Sequence, residues 1–184
     1  RAAKSFVKIN VIMPYNVWGG GTRSTFELCN NLIALGHDVA VYFPFFPYLQ
    51  GASIFSKQGA YTAFRGLARG IIRRNKVPWF DLDAPLHMVP LITDRFIRDA
   101  DVVMANHWPT AYSVATLSPR KGRKFHMIRD TEPWKGQETL VTRSYRLPLT
   151  KIVIAPWLQE YLEDNMGVPV RGMVMNGTNV DLFA

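Results

Sequence analysis

Apolar residues along this chain recur in two rhythms. Val7, Ile9, Val11, Ile12 and Met13 form a mostly apolar run, as a strand buried on both faces of a parallel sheet requires, and Pro14 ends it. From Phe26 through Leu28, Leu32, Ile33 and Leu35 the spacing changes to that of a helix with one buried side. Thr22 or Ser24 is placed to cap that helix, and Gly36 to stand just past its end. His37-Asp38 then lead into a second strand over Val39–Phe43.

The same alternation continues. Strands are predicted at Leu86–Pro90, Asp101–His107, Phe125–Arg129, Lys151–Ala155 and, as a last short piece, Arg171–Met175. Helices are predicted around Thr93–Arg98, over Pro109–Leu117, through Glu138–Tyr145, and from Trp157 to Met166 with a stop at Gly167. Arg120 to Lys124 reads as a basic loop, and Pro44 to Tyr48, rich in proline and aromatics, as an ordered loop. Alternating strands and helices of this length imply an α/β fold: a doubly wound, Rossmann-like parallel sheet in one domain, strand order 3-2-1-4-5-6.

Between the first strand and the first helix stand Gly19, Gly20 and Gly21. Without Cβ atoms they can take positive φ and let a ligand approach the backbone. Glycines ahead of a helix leave free N–H groups and the positive end of the dipole facing a crevice, which makes an anion site, most often for phosphate. The pattern is neither Gly-x-Gly-x-x-Gly nor a P-loop. The bland alternative is a flexible turn.

Composition narrows the field. With 184 residues, 48% hydrophobic and 20% charged, the chain has the make-up of a soluble globular domain large enough for a substantial core. No apolar run reaches the length of a spanning helix and no stretch reads as a signal peptide. The lone Cys29 excludes an internal disulfide and suits the cytosol. A net charge of +8 favours an anionic partner: a nucleotide, an acidic lipid surface or nucleic acid. Much of the charge lies in Tyr61–Lys76, where Arg65, Arg69 and Arg73 share a helical face opposite Phe64, Leu67 and Ile71. This stretch is either a solvated surface helix or an interfacial helix on anionic lipid.

Both ends of the chain resemble the retaining GT-B glycosyltransferases of the family 4 type, which include sucrose and lipid-linked sugar transferases. Their first strand runs into a Gly-Gly loop and a helix ending Leu-x-x-x-Gly-His-x-Val, matched here by Leu32 to Val39. Their interdomain linker is matched by Gly172 to Phe183, with one residue (Thr178 or Asn179) inserted. The likeness covers the whole chain, but only the amino-terminal half of the family's two-domain protein. It implies an acceptor-side domain over residues 1–175 and the start of a linker over 176–184. It further implies a nucleotide-sugar donor, a carbohydrate or lipid-linked acceptor, a cytoplasmic protein that can touch an anionic membrane, and no nucleic-acid partner. No metal and no resident cofactor are expected. The donor-holding domain with its Glu-x7-Glu element lies elsewhere, so this chain alone is expected to be inactive.

The resemblance also assigns roles. Gly20, Gly21 and Thr22 would approach the donor phosphates. His107, two residues before Pro109 as in the family, would serve as the catalytic-site histidine near the transferred sugar. In the family, acceptor-contacting residues stand where Arg129, Asp130 and Glu132 do; Trp108 fills the variable place of the His-x-Pro spacing, and its indole could stack on an apolar sugar face. Each has a plainer reading: His107 as a helix cap, and Arg129 with its carboxylates as a loop-ordering network. His126 reads as a core histidine, and His87 is no candidate. Asn176-Gly177 reads as a turn rather than chemistry. No nucleophilic triad or glycosidase carboxylate pair can be assembled. The competing class is a stand-alone flavodoxin-like phosphate-binding module. A nucleic-acid binder would rest on net charge alone.

Overall fold

The computed structural model describes residues 6–15, 18–45, 64, 77–131 and 138–177. Seven parallel strands form one sheet: β1 (Lys8–Ile12), β2 (Asp38–Pro44), β3 (Leu86–Val89), β4 (Val102–Ala105), β5 (Arg123–Ile128), β6 (Thr150–Val153) and β7 (Val170–Met173). Their order across the sheet is β3-β2-β1-β4-β5-β6-β7. This is the doubly wound order the sequence predicts, with the short last strand added at the edge.

Among the described residues, four helices flank them: α1 (Gly20–Ala34), α2 (Trp108–Thr116), α3 (Glu138–Tyr145) and α4 (Pro156–Glu160). Successive residues of β1 serve opposite faces. Ile9, Val11 and Met13 join Phe26 and Cys29 of α1 in one core layer. Ile12 joins Ala111 and Val114 of α2 in another. Ile128 and Val153 pack with Val141 and Tyr145 of α3 and with Leu158 of α4. Both sheet faces are thus covered, which is why the central strands read as continuous apolar runs rather than alternating ones.

Gly36 closes α1 as predicted. Its φ of 94° lets its N–H reach Ile33 O (2.8 Å) and the His37 N–H reach Leu32 O (3.1 Å), the paired bonds of a Schellman end. Other elements differ from expectation. α1 begins at Gly20, ahead of both candidate caps, and Gly19 occupies its N-cap position in extended geometry. Thr93–Arg98 forms a single turn, closed by the Phe96 and Ile97 N–H groups on Thr93 O, and no helix. The basic loop is shorter than read: a 3-10 turn at Pro119–Lys121, after which β5 starts at Arg123. The last predicted helix passes from α4 into a π-helical turn at Tyr161–Asn165. Residues 46–48, 61–63 and 65–76, which carry the aromatic loop and the basic stretch, lie outside the described residues. Among the described residues no helix is long and apolar enough to cross a membrane.

The amino edge of the sheet is held by paired charges. Arg98 bonds Asp38 at 2.8 Å and Asn10 Oδ1 at 3.0 Å, and Asp99 accepts from Arg120 and Lys121, both at 2.8 Å. These cations already have their anions. The opposite, carboxyl edge is arranged differently, and it carries the candidate site.

Candidate functional site

Open parallel sheets bind ligands outside the carboxyl ends of their strands, where neighbouring connections diverge. In this protein a cleft of about 640 Å³ lies there, within the size range of substrate pockets. Its floor is Met13 and Pro14 after β1, Asn106 and His107 after β4, Arg129 and Asp130 after β5, and Ile154 after β6. Trp18, the three glycines, Thr22 and Ser24 form one wall, and Asn176 closes the other side.

The glycines line this cleft without the left-handed backbone that the sequence reading allowed them. None of Gly19, Gly20 and Gly21 lies in the left-handed region, Gly19 being extended; left-handed values occur at Gly36, Gly122 and Gly167. A Cβ built on any of the three meets nothing within 4 Å. Neither backbone conformation nor packing demands glycine here. What their missing side chains leave is free space on the cleft side of α1. Gly20, Gly21 and Thr22 form the first turn of α1, whose N–H groups have no helical acceptor. Thr22 itself is buried, and Ser24 and Thr25 hydroxyls both donate back to Gly21 O (3.3 and 2.7 Å).

His107 combines its two readings. It occupies the N-cap position of α2, where the Thr110 hydroxyl accepts from its N–H (3.1 Å) and donates to its carbonyl (2.7 Å). Its backbone therefore fixes the helix start while its ring borders the cleft, 6.1 Å from the Tyr15 ring. Trp108 requires a correction. Only 5% exposed, it packs with Ile128, Val141, Tyr145 and Leu158 beneath the helices and does not line the cleft. The reason is the turn into α2: one residue after His107 the chain is already helical and its side chain points into the core. A sugar cannot stack on Trp108 in this arrangement. The exposed indole of the cleft is Trp18, beside the glycines and 81% accessible.

Arg129 is the most heavily tethered polar side chain of the cleft. Its Nε donates to Asn106 Oδ1 at 2.9 Å, and its Nη1 donates to Ser24 Oγ at 2.7 Å and Asn176 Oδ1 at 3.3 Å. Its Nη2 lies 3.1 Å from Met127 Sδ. These partners are neutral, so the predicted Arg–carboxylate network is not seen among the described residues. Burial pushes the guanidinium down to about 10, which leaves it charged at neutral pH. Asp130 is exposed, its Oδ1 taking the Thr131 N–H at 2.7 Å. Glu132 lies outside the described residues.

Asn106, Ser24 and Asn176 are site residues that the motif reading missed or gave other work. Asn106 is buried at the strand end, a costly place for an amide, and that polar interruption of an apolar strand was the one signal available. Asn176 bonds Arg129 rather than only turning the chain. The remaining candidates stand as read. His126 is fully buried against Tyr145, and desolvation lowers it to about 3. The Cys29 thiol is buried and pushed up to about 12, far from a reactive thiolate. Among the described residues no group of three His, Cys, Asp or Glu side chains could hold a metal ion.

Comparison with known proteins agrees with this fold. No curated protein matches the sequence. Among solved structures, the fold is similar to an alpha-glucosyltransferase determined in complex with UDP and a 13-mer DNA containing an HMU base. The TM-score is 0.55 at 11% identity, over 96% of this chain and 44% of that one. The likeness is of fold, and this chain spans less than half of that enzyme's length. The model of Glycosyltransferase Family 4 matches residues 18–181, from the glycine loop to the far end, and the chain belongs to that family.

Proposed function

We propose that this chain is the amino-terminal, acceptor-side domain of a two-domain enzyme that moves a sugar from a nucleotide-sugar donor to an acceptor hydroxyl with retention. One observation supports this reading above the rest. Four strand ends and one helix start, distant in sequence, bring an open helix N-terminus, an imidazole and a guanidinium to a single cleft. A binding module needs only the first of these.

In the proposed reaction the bond between the anomeric carbon and the leaving diphosphate breaks as the sugar becomes oxocarbenium-like, the acceptor oxygen bonds that carbon on the same face, and the hydroxyl proton passes to the departing diphosphate oxygen. The charge that grows on the diphosphate faces the N–H groups of Gly20, Gly21 and Thr22 and the α1 dipole. Such a terminus contributes about 0.3–1 kcal/mol at exposed sites and up to about 2 kcal/mol when partly buried. Because this charge stabilisation comes from protein groups, no metal enters the proposal. His107, between the glycine wall and the β5 end, would hydrogen-bond a hydroxyl of the transferred sugar. Arg129, Asp130 and Glu132 would meet the acceptor. Residues 176–184 would begin the linker to a domain holding the nucleotide, so the chain alone should show little turnover. We place the enzyme in the cytoplasm, with the basic stretch Arg65–Lys76 as its contact to an anionic leaflet where the acceptor is lipid-linked.

The test is His107→Ala in the full-length protein. The expected result is a fall in kcat with donor binding little changed. If the lost hydrogen bond resembles an oxyanion-type donor, the fall corresponds to about 2.7–4 kcal/mol. Wild-type kcat in the variant would mean that His107 only starts α2.

A further inference from the structure

An arginine guanidinium carries five N–H groups. In Arg129 the Nε–H goes to Asn106 Oδ1 (2.9 Å), Nη1 donates to both Ser24 Oγ (2.7 Å) and Asn176 Oδ1 (3.3 Å), and Nη2 turns one hydrogen toward Met127 Sδ (3.1 Å). A single N–H is left without a partner among the described residues, for the acceptor contact proposed above. The other four join separate parts of the protein.

Those parts are distant in sequence. Asn106 directly precedes His107 after β4. Ser24 lies in α1, and its hydroxyl carries the tie on to Gly21 O (3.3 Å) in the first turn. Asn176 stands beyond β7, past the Val174 N–H to Val153 O bond (2.8 Å), which is the last main-chain bond to the sheet among the described residues. From that point the bond to Arg129 secures the chain where the proposed linker begins.

Packing does not duplicate this connection. Ser24, Arg129 and Asn176 stand between the cleft of about 640 Å³ and an adjoining cavity of about 610 Å³, which also reaches Glu27, Phe80 and Met127. With open space on both sides, a lost bond has no van der Waals contact to replace it.

We propose that Asn176 is a positioning residue: through Arg129 it holds the first turn of α1 and the His107 segment in place relative to the chain leaving β7, so that the donor site responds to where that chain is held. The inference rests on the transferase reading above, which makes residues 176–184 a linker and the α1 terminus the diphosphate site.

The experiment compares the full-length wild type with Asn176→Ala, Ser24→Ala, the double variant and Asn176→Asp. Without any ligand, the Gly20, Gly21 and Asn106 amide resonances should shift in Asn176→Ala, although Asn176 bonds to Arg129 alone among the described residues. They should stay in place in Met175→Ala, a change at the exposed neighbour. UDP is the donor probe. Each single alanine variant should weaken its binding, read by calorimetry, by about three- to tenfold, the span of one net hydrogen bond. The double variant should be no weaker than the worse single, because both cut one path. Asn176→Asp keeps the acceptor oxygen and adds a charge for Arg129, so it should bind UDP as wild type does.

Unmoved α1 resonances in Asn176→Ala, wild-type UDP affinity in both single variants, additive losses in the double variant, or no rescue by Asn176→Asp overturns the proposal. Where wild type turns over a nucleotide sugar that is not a UDP sugar, its nucleoside diphosphate replaces UDP as the probe. A wild type that neither binds UDP nor turns over any nucleotide sugar removes the transferase reading instead, and the resonances then decide the tie on their own.

Discussion

Replacing Gly20 or Gly21 by alanine should make the free protein more stable and its donor complex weaker. Both residues lie in the first turn of α1 without positive φ, and a Cβ at either meets nothing within 4 Å. Alanine there restricts the unfolded chain at no native cost, a gain of about 0.4–1 kcal/mol each. For a domain of this size that is a rise in Tm of about 1–4 °C. The added methyl then stands in the cleft where the diphosphate must approach. An overpacking cost of about 1–3 kcal/mol corresponds to donor binding weaker by about 5- to 150-fold. Gly122 supplies the contrast. It has φ of 95° and ψ of −173°, and a Cβ would lie 2.3 Å from Asp101 C and 2.5 Å from Val102 N, both main-chain atoms. Gly122→Ala should lose about 1–3 kcal/mol to backbone strain and about 1–3 kcal/mol more to the clash. Thermal unfolding and donor titration of the three variants decide the matter. Destabilisation at Gly20 and Gly21 would show the loop to be structural. Unchanged donor affinity would show that the cleft takes its ligand elsewhere.

Two further outcomes follow from burial. Trp108→Ala should destabilise the fold by about 3–5 kcal/mol through the packing it shares with Ile128, Tyr145 and Leu158. At a temperature where the variant is folded, its acceptor KM should match wild type, and a selective rise in KM would restore the sugar-stacking role. His126 is held neutral to about 3, against an ordinary 6.5, so between these values the unfolded chain binds the extra proton. Stability should therefore be fully present above pH 6.5 and decline as pH falls toward 3, by up to about 1.4 kcal/mol per pH unit. His126→Phe, which keeps a ring against Tyr145, should flatten that window. Equal slopes in denaturant titrations at pH 4 to 7 would refute the assignment.

Sheet order was legible because parallel strands buried on both faces announce themselves as apolar runs, and because Gly36 and Gly167 mark helix ends by their backbone needs. Thr93–Arg98 misled: its apolar Phe96 and Ile97 pack on the core from a single turn, and burial of two residues does not require a helix. At the site, strand ends and helix starts predicted which backbone segments meet. Side-chain direction did not follow from them. His107 and Trp108 are adjacent in sequence, yet one borders the cleft and the other enters the core, because α2 begins between them. Arg129's partners come from residues 24, 106 and 176, a long-range coincidence that no local motif encodes. The glycine triplet was read for positive φ and for close approach of a ligand; none of the three is left-handed, and a Cβ on any of them would meet nothing within 4 Å.

The most direct test of the central claim is the fate of a nucleotide sugar offered to the full-length protein. Proton NMR of the reaction should show consumption of the donor, release of the nucleoside diphosphate and a product whose anomeric configuration matches that of the donor. The same assay on Gly20→Val should show little or none of this while its Tm stays near wild type. Inversion at the anomeric carbon would contradict the retaining mechanism. Failure to bind or consume any nucleotide sugar would contradict the proposed transferase itself.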